Sequence, residues 1–303
     1  MFELSLREPS REDLGWPLPL WADPAFMAAV ARLHGVEAWH LLCHKGDQLT
    51  GLLPLFEKTS FGLRRAVSPV SAYYQGLWFN WEGGRDPNRN LLDELHVSAE
   101  VAKFLRGRYK RVSFNLTPRN PDVRGFTWAG LKAEPLYTFI HRLSEPFCLL
   151  KDERKKLRLA EGQNYGFSER FDPDSFIGLL KGMFERKQHR FGVSYPALRG
   201  WLEELNGKGL LTQFNLTHKQ ETVSSNIVLK DASDRTAYTI MRGTRADDLK
   251  TGASTLHSKL LVEKLAAGGE FDQLDFCGAN NPEVARFKAA MGFRLALFFR
   301  IRN

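Results

Sequence analysis

The feature that most constrains this 303-residue chain is that part of it occurs twice. Displaced by 161 residues, positions 95–131 fall on 256–292 with 10 of 37 identical: Leu95/Leu256, His96/His257, Val101/Val262, Lys103/Lys264, Gly107/Gly268, Asn120/Asn281, Pro121/Pro282, Val123/Val284, Phe126/Phe287 and Ala129/Ala290. Average composition gives roughly two. Asp122/Glu283 is a like-for-like pair, and the strand cores Val112-Ser113-Phe114 and Leu274-Asp275-Phe276 align only at an offset of 162, so one residue was gained or lost between them. The repeated order is helix, strand, Asn-Pro loop, helix, strand. Such a chain has two similar α/β surfaces to bury. The expected class is α/β with a mixed sheet, in tandem domains 1–145 and 146–303, divided at Ser144-Glu145-Pro146. The length agrees, at about 150 residues per domain.

The second copy is the more legible. Gln273 to Cys277 alternates polar and apolar as a half-buried strand does, and Gly278 ends it. Asn280-Asn281-Pro282 starts a helix with Pro at its first position, Val284, Phe287, Lys288 and Met291 follow at helical spacing, and Gly292 stops it. Phe293 to Ile301 is a last apolar strand. A polar loop between a strand carrying an acid and a helix carrying Arg286 and Lys288 marks a substrate site.

Upstream, Asp23-Pro24 caps a helix to His34. Val36–Cys43 and Leu49–Phe56 form a hairpin, with further strands at 63–67 and 76–79 and a loop at 82–90. A helix over 91–106, a strand over 111–116 and a strand over 137–143 close the first half. The second half offers helices at 150–162, 173–190 and 196–207, strands at 210–217, 224–229 and 236–242, and a long helix from Gly252.

That order resembles the GNAT acyltransferase fold in tandem, and in particular the FemABX-like and CelD-like acyltransferases. Three segments carry the likeness: the basic helix Lys155–Gly162, the strand, loop and helix through Leu256, and Asp275-Phe276-x-Gly278 with Phe287-Lys288 and Gly292-Phe293. It covers most of Leu150 to Phe298, and matches the first half more weakly through Leu53-Pro54-Leu55. The resemblance implies transfer of an acyl group from acyl-CoA, or of an aminoacyl group from aminoacyl-tRNA to a peptidoglycan precursor. The acceptor is then an amine on a small molecule or a cell-envelope precursor, with tRNA a possible partner. No charged heptad segment for a coiled-coil arm is present. The charge fits anionic ligands: 43 basic against 35 acidic residues give +8. It equally fits a non-catalytic RNA- or nucleotide-binding module. The oligomeric state is not legible.

An activated donor needs little from side chains beyond positioning and stabilisation of the oxyanion and leaving group. Donor phosphates suit a helix N-terminus, which points to Arg242, Arg245, Gly252, Ala253, Ser254 and Thr255, or else these form an ordinary helix start. Asp275 is placed to hold or deprotonate an ammonium, or to close the Asn280–Pro282 turn. Lys288 and Arg286 suit an anionic acceptor or leaving phosphate, or a solvated face. The resemblance makes Tyr238 a proton donor to a thiolate, against a strand-core aromatic. Tyr73 and Tyr74 on their loop suit an acceptor sugar or base, and Arg158, Arg190 and Asn280 complete the substrate set. Ser113 stands where the second repeat has Asp275, so the first half shapes the acceptor site or is degenerate. His40-x-x-Cys43-His44 does not make a metal site, because Cys43 points away from the two histidines on a strand. No tightly bound cofactor or metal is expected. Three scattered cysteines imply no disulfide framework and a reducing, cytoplasmic setting, and neither a signal peptide nor a membrane span is expected.

Overall fold

The computed structural model describes residues 2–12, 14–81 and 85–303. In chain order the elements are β1 (Phe2–Arg7), α1 (Pro24–His34), β2 (Glu37–Lys45), β3 (Gln48–Ser60), β4 (Leu63–Val67), β5 (Trp78–Phe79), α2 (Pro87–Arg108), β6 (Arg111–Asn115), α3 (Arg124–Trp128) and β7 (Lys132–Arg142). There follow α4 (Lys151–Glu161), β8 (Gly166–Glu169), α5 (Pro173–Arg186), α6 (Tyr195–Gly207), β9 (Leu211–His218), β10 (Glu221–Asp231), β11 (Thr236–Thr244), α7 (Ala253–Gly268), β12 (Gln273–Asp275), α8 (Pro282–Ala290) and β13 (Arg294–Arg302). Five helices start as their sequences dictate. Asp23, Asp86, Asp172, Ser194 and Asn281 each accept a backbone N–H of the first turn, with Pro just inside. Of the loop expected over 82–90, Glu82–Gly84 lie outside the described residues, and Pro87 onward is helix.

Two compact units emerge. One holds the chain up to Leu136 together with 297–303, the other Tyr137–Ala296. The Ser144-Glu145-Pro146 turn lies within the second unit. Each repeat's last strand ends in the unit of the other repeat. The C-terminal part of β7 pairs antiparallel with β12 in the second unit (Ile140↔Asp275), and the end of β13 pairs antiparallel with β6 in the first (Arg300↔Asn115).

The strand order is β1-β2-β3-β4-β6-β13 in the first unit and β7-β12-β11-β10-β9-β8 in the second. Among these ladders β4/β6 and β11/β12 are parallel. A parallel pair needs a crossover, and α2 and α7 supply it at the same place in each repeat. Val97, Val101 and Leu105 of α2 pack on Val112 and Phe114 in the first core. Leu261, Val262 and Leu265 of α7 pack on Leu274 and Phe276 in the second. The aligned Val101 and Val262 are thus both core, each worth roughly 2 kcal/mol of burial. The aligned histidines are not equivalent: His96 is exposed and His257 fully buried. Among the described residues no helix is long and apolar enough to cross a membrane, and no cluster could hold a metal ion.

Candidate functional site

In the second unit the two parallel strands separate. The β11/β12 ladder runs only from Thr236↔Gln273 to Tyr238↔Asp275. Directly beyond it β11 takes one extra residue against β10: Thr239 faces Val228 and Met241 faces Ile227, leaving Ile240 as a bulge. A bulge bends its strand and increases its twist. On the other side the chain turns away through Cys277 (φ +37°) and Gly278 (φ +82°). A non-glycine residue in this conformation is strained by roughly 1–2 kcal/mol, and something must hold it. Lys288 does so. Its Nζ, on α8, donates to the carbonyls of Phe276 (2.6 Å), Cys277 (2.7 Å) and Gly278 (2.5 Å).

The opening is a cavity of about 420 Å³, within the range of small-molecule sites. Ile240 and Met241 of β11 line one wall, Phe276 and Phe287 another, and Met183 with Leu249 add apolar surface. Five cationic residues line it, Lys156, Arg186, Lys187, Arg242 and Lys288, with Glu283 the single carboxylate of the lining among the described residues; Lys156 Nζ is itself paired with Glu153 Oε1 (2.5 Å). Asn226, Thr239, Ser254 and Thr255 add neutral polar groups. Arg242 donates through Nη2 to the Ser254 carbonyl (3.2 Å) and Ser258 Oγ (3.0 Å), while its buried Nε has no partner. Burial brings its pKa down to about 10, so it remains a cation at neutral pH. Behind it His257 Nδ1 shares a 2.8 Å hydrogen bond with Ser224 Oγ, which shares another with Thr244 Oγ1. Burial, and then the Arg242 charge, keep His257 neutral. Burial first, then Asp275, hold the Cys277 thiol protonated. Burial lowers Lys288 to about 8.

The expected residues divide. Arg242, Ser254, Thr255 and Lys288 line the cavity. Gly252 and Ala253 do not. Gly252 is pinned at φ +85°, where a Cβ would overlap the Lys156 carbonyl, so it serves close packing of α7 on α4 and is not a flexible loop. The first turn of α7 already has an internal anion: buried Glu153 accepts from Thr255 Oγ1 at 2.6 Å. Arg245 faces elsewhere, paired with Asp248 (2.6 Å) and Glu221 (2.7 Å). Asp275 is buried, accepting from Thr138 Oγ1 and the Cys277 N–H, and Tyr238 is buried in β11; neither lines the cavity. Lys288 is itself buried, not on a solvated face. Asn280 brackets the backbone of Tyr137, donating to its C=O (3.1 Å) and accepting from its N–H (3.0 Å).

Arg158, Arg190 and Arg286 are exposed and outside the lining. The expectation of two exposed tyrosines is corrected: Tyr74 is fully buried, edge-on to Trp21 and Phe298, and Tyr73 is half-buried beside it. Sequence reasoning missed Lys156, Arg186, Lys187, Asn226 and Glu283.

No protein-family profile matches the sequence, and no curated protein sequence matches it. Solved structures do. FemX superposes with a TM-score of 0.63 at 12% identity, covering 90% of this chain and 90% of its own. A tandem GNAT protein from the clavulanic acid biosynthesis pathway gives 0.54 at 11% identity, covering 100% and 98%. L-PGS from Bacillus licheniformis gives 0.53 at 11%, covering 92% and 91%. The fold is therefore the duplicated GNAT-like fold shared by these proteins.

Proposed function

We propose that this chain is an N-acyltransferase that takes its acyl group from acyl-CoA and passes it to an amine. The shared fold supports acyl or aminoacyl transfer in general. The observation that carries the finer reading is the cationic cavity where β11 leaves β12. From Thr239 on, the β11 edge that faced β12 has no ladder partner among the described residues, so an extended donor arm can add to it as a strand would. The apolar wall takes the arm, and Arg186 and Lys187 take the donor phosphates, Lys156 being already paired with Glu153.

The acceptor amine, neutral when it attacks, forms a C–N bond at the thioester carbonyl. The tetrahedral oxyanion collapses, the C–S bond breaks, and the thiolate leaves and is protonated. Arg242 and Lys288 provide positive potential for the oxyanion and thiolate in a partly dry site. Glu283 is the cavity carboxylate and accepts the ammonium proton. All three N–H groups of protonated Lys288 are engaged, so it positions the loop and does not reach the donor. In this reading the second unit is catalytic, while the first shapes the acceptor site or is degenerate.

Calorimetric titration with acetyl-CoA tests this. The expected result is micromolar binding, weakened about tenfold or more by Arg242→Gln, in line with the loss of a charged hydrogen bond, and unchanged by Arg245→Gln. Absence of binding would refute the acyl-CoA reading and make aminoacyl-tRNA the donor to test. Equal loss in both variants would move the donor out of this cavity.

A further inference from the structure

The hairpin of β3 and β4 ends in a finger that does not fit its own turn chemistry. The β2/β3 ladder stops at Glu37↔Glu57 and the β4/β6 ladder begins at Arg65↔Arg111, so Lys58–Leu63 runs past both neighbouring strands. The last pair is Ser60↔Leu63, which leaves a two-residue turn of Phe61 (φ +51°) and Gly62 (φ +72°). Both positions need positive φ, which favours Asn-Gly, and a bulky residue at the first is an outlier. Phe61 is fully exposed and Leu63 half exposed. A strained aromatic that touches nothing does not stabilise the fold, and such an outlier is where a function is sought.

The charges behind the tip are one-sided. Lys58, Arg64 and Arg65 lie on the finger, and Lys110, whose N–H donates to the Arg64 carbonyl (2.9 Å), stands at its base with Arg108 and Arg111. Against these six stand Glu37 and Glu57, and Glu57 is buried and held by Arg64 (3.5 Å) and Arg108 (3.4 Å). Apolar groups thus come outermost and cations directly behind them. That order matches an anionic bilayer, where apolar side chains enter below the headgroups and Lys and Arg stay among the phosphates. Leu63 has no ring to stack on a base, which favours lipid over RNA as the partner.

We propose that the Ser60–Leu63 tip is an interfacial anchor that docks this protein on anionic phospholipid membranes. The full chain is sedimented with vesicles of equal parts phosphatidylglycerol and phosphatidylcholine, and with phosphatidylcholine alone. Binding is expected to the anionic vesicles only, and to weaken as salt rises. Phe61→Ser should lower it about tenfold, in keeping with one aromatic side chain leaving an apolar phase. Phe61→Trp should retain it and show fluorescence quenching by brominated lipid. The side chain makes no packing contact, so both variants should fold. Failure to bind anionic vesicles, binding indifferent to Phe61→Ser, or Phe61-dependent binding to an RNA oligonucleotide without vesicle binding would each overturn the proposal.

Discussion

The two repeats differ most at one place, the point where their parallel strands part. In the second unit β11 continues to Thr244 beside an open cavity. In the first, β4 ends at Val67 and the chain folds back into the gap. The Gln75 N–H donates to the Asn115 carbonyl (2.7 Å), Asn115 Nδ2 donates to the Tyr73 carbonyl (3.0 Å), and Asn120 brackets the backbone of Leu77. Gly76 lies so close that a Cβ would sit 2.6 Å from Thr117. Tyr74 fills what remains, among Trp21 and Phe298. The same topology thus makes either an open cavity or a piece of core, and the connection after the fourth-position strand decides which. The second repeat connects β11 to α7 through residues 245–252, which wind through a 3-10 turn at Asp247–Leu249. The first inserts ten residues, 68–77, that act as its own ligand.

The largest effect should come from removing that plug. Tyr74→Ala deletes a fully buried ring and is expected to cost about 3–5 kcal/mol, read as a fall in the denaturation midpoint. Acetyl-CoA affinity should not change, because the cavity proposed for the donor is lined wholly by residues between 156 and 288. If Tyr74→Ala instead gained a second donor equivalent, the first unit would be an occluded site and not a degenerate one.

A smaller effect separates the glycines that end α8 and α3. Gly292 (φ +79°) and Gly130 (φ +87°) each follow their helix in the left-handed conformation. A Cβ on Gly292 would overlap the backbone carbonyl of Cys148, whereas on Gly130 it would meet the flexible end of Arg106 at 2.6 Å. Gly292→Ala should therefore cost about 3 kcal/mol, from left-handed strain plus an immovable clash, and Gly130→Ala about 1 kcal/mol. Equal losses by chemical denaturation would show that the Cys148 segment yields as easily as a side chain.

How much of this was legible follows from what each signal depends on. Helix starts are local, and Asp23-Pro24, Asp172-Pro173 and Asn281-Pro282 mark theirs in the sequence, whereas Asp86-Pro87 carries the same signal inside a stretch that reads as a Gly/Asp/Pro/Asn loop. β8 has four residues, too few for a period to show, and β1 is an edge strand with only a short Phe2-Glu3-Leu4 alternation, whereas α3, five residues long, is legible only through the repeat that follows Asn120-Pro121. At the site the elements were right and the side chains often wrong. Arg158 on α4 and Arg190, four residues beyond the end of α5, lie outside the lining, whereas Lys156 and Lys187 line the cavity. Helix phase was the available signal, since Lys187 continues the inward row Phe176, Leu180, Met183. Arg245 carried its own warning in Asp248, three residues on. Tyr74 gave none, because Trp21 and Phe298, which bury it, are remote in sequence.

The finest contrast is Lys288, whose aligned partner in the first repeat is Thr127, whose Oγ1 donates to the Arg124 carbonyl (3.1 Å). Burial lowers Lys288 to about 8 from the ordinary 10.5, with Cys277 and Asp275 opposing the shift and Arg242 adding to it. Between those two values the native state has released a proton that the unfolded chain keeps, so this residue's contribution to stability rises with pH across that window. Donor binding should move the other way. A neutral amine has two N–H groups for three carbonyls, so the Phe276–Gly278 loop loosens, and the cavity loses a cation. Acetyl-CoA affinity should fall about fivefold as pH passes from a unit below to a unit above that pKa, the scale of one nearby charge at the effective dielectric of a partly exposed site. Lys288→Met should bind weakly with no such step, while Thr127→Val leaves the profile intact. A flat wild-type profile, or a step that survives in Lys288→Met, would mean that the loop is held by its own turn geometry and that Lys288 is no more to the second repeat than Thr127 is to the first.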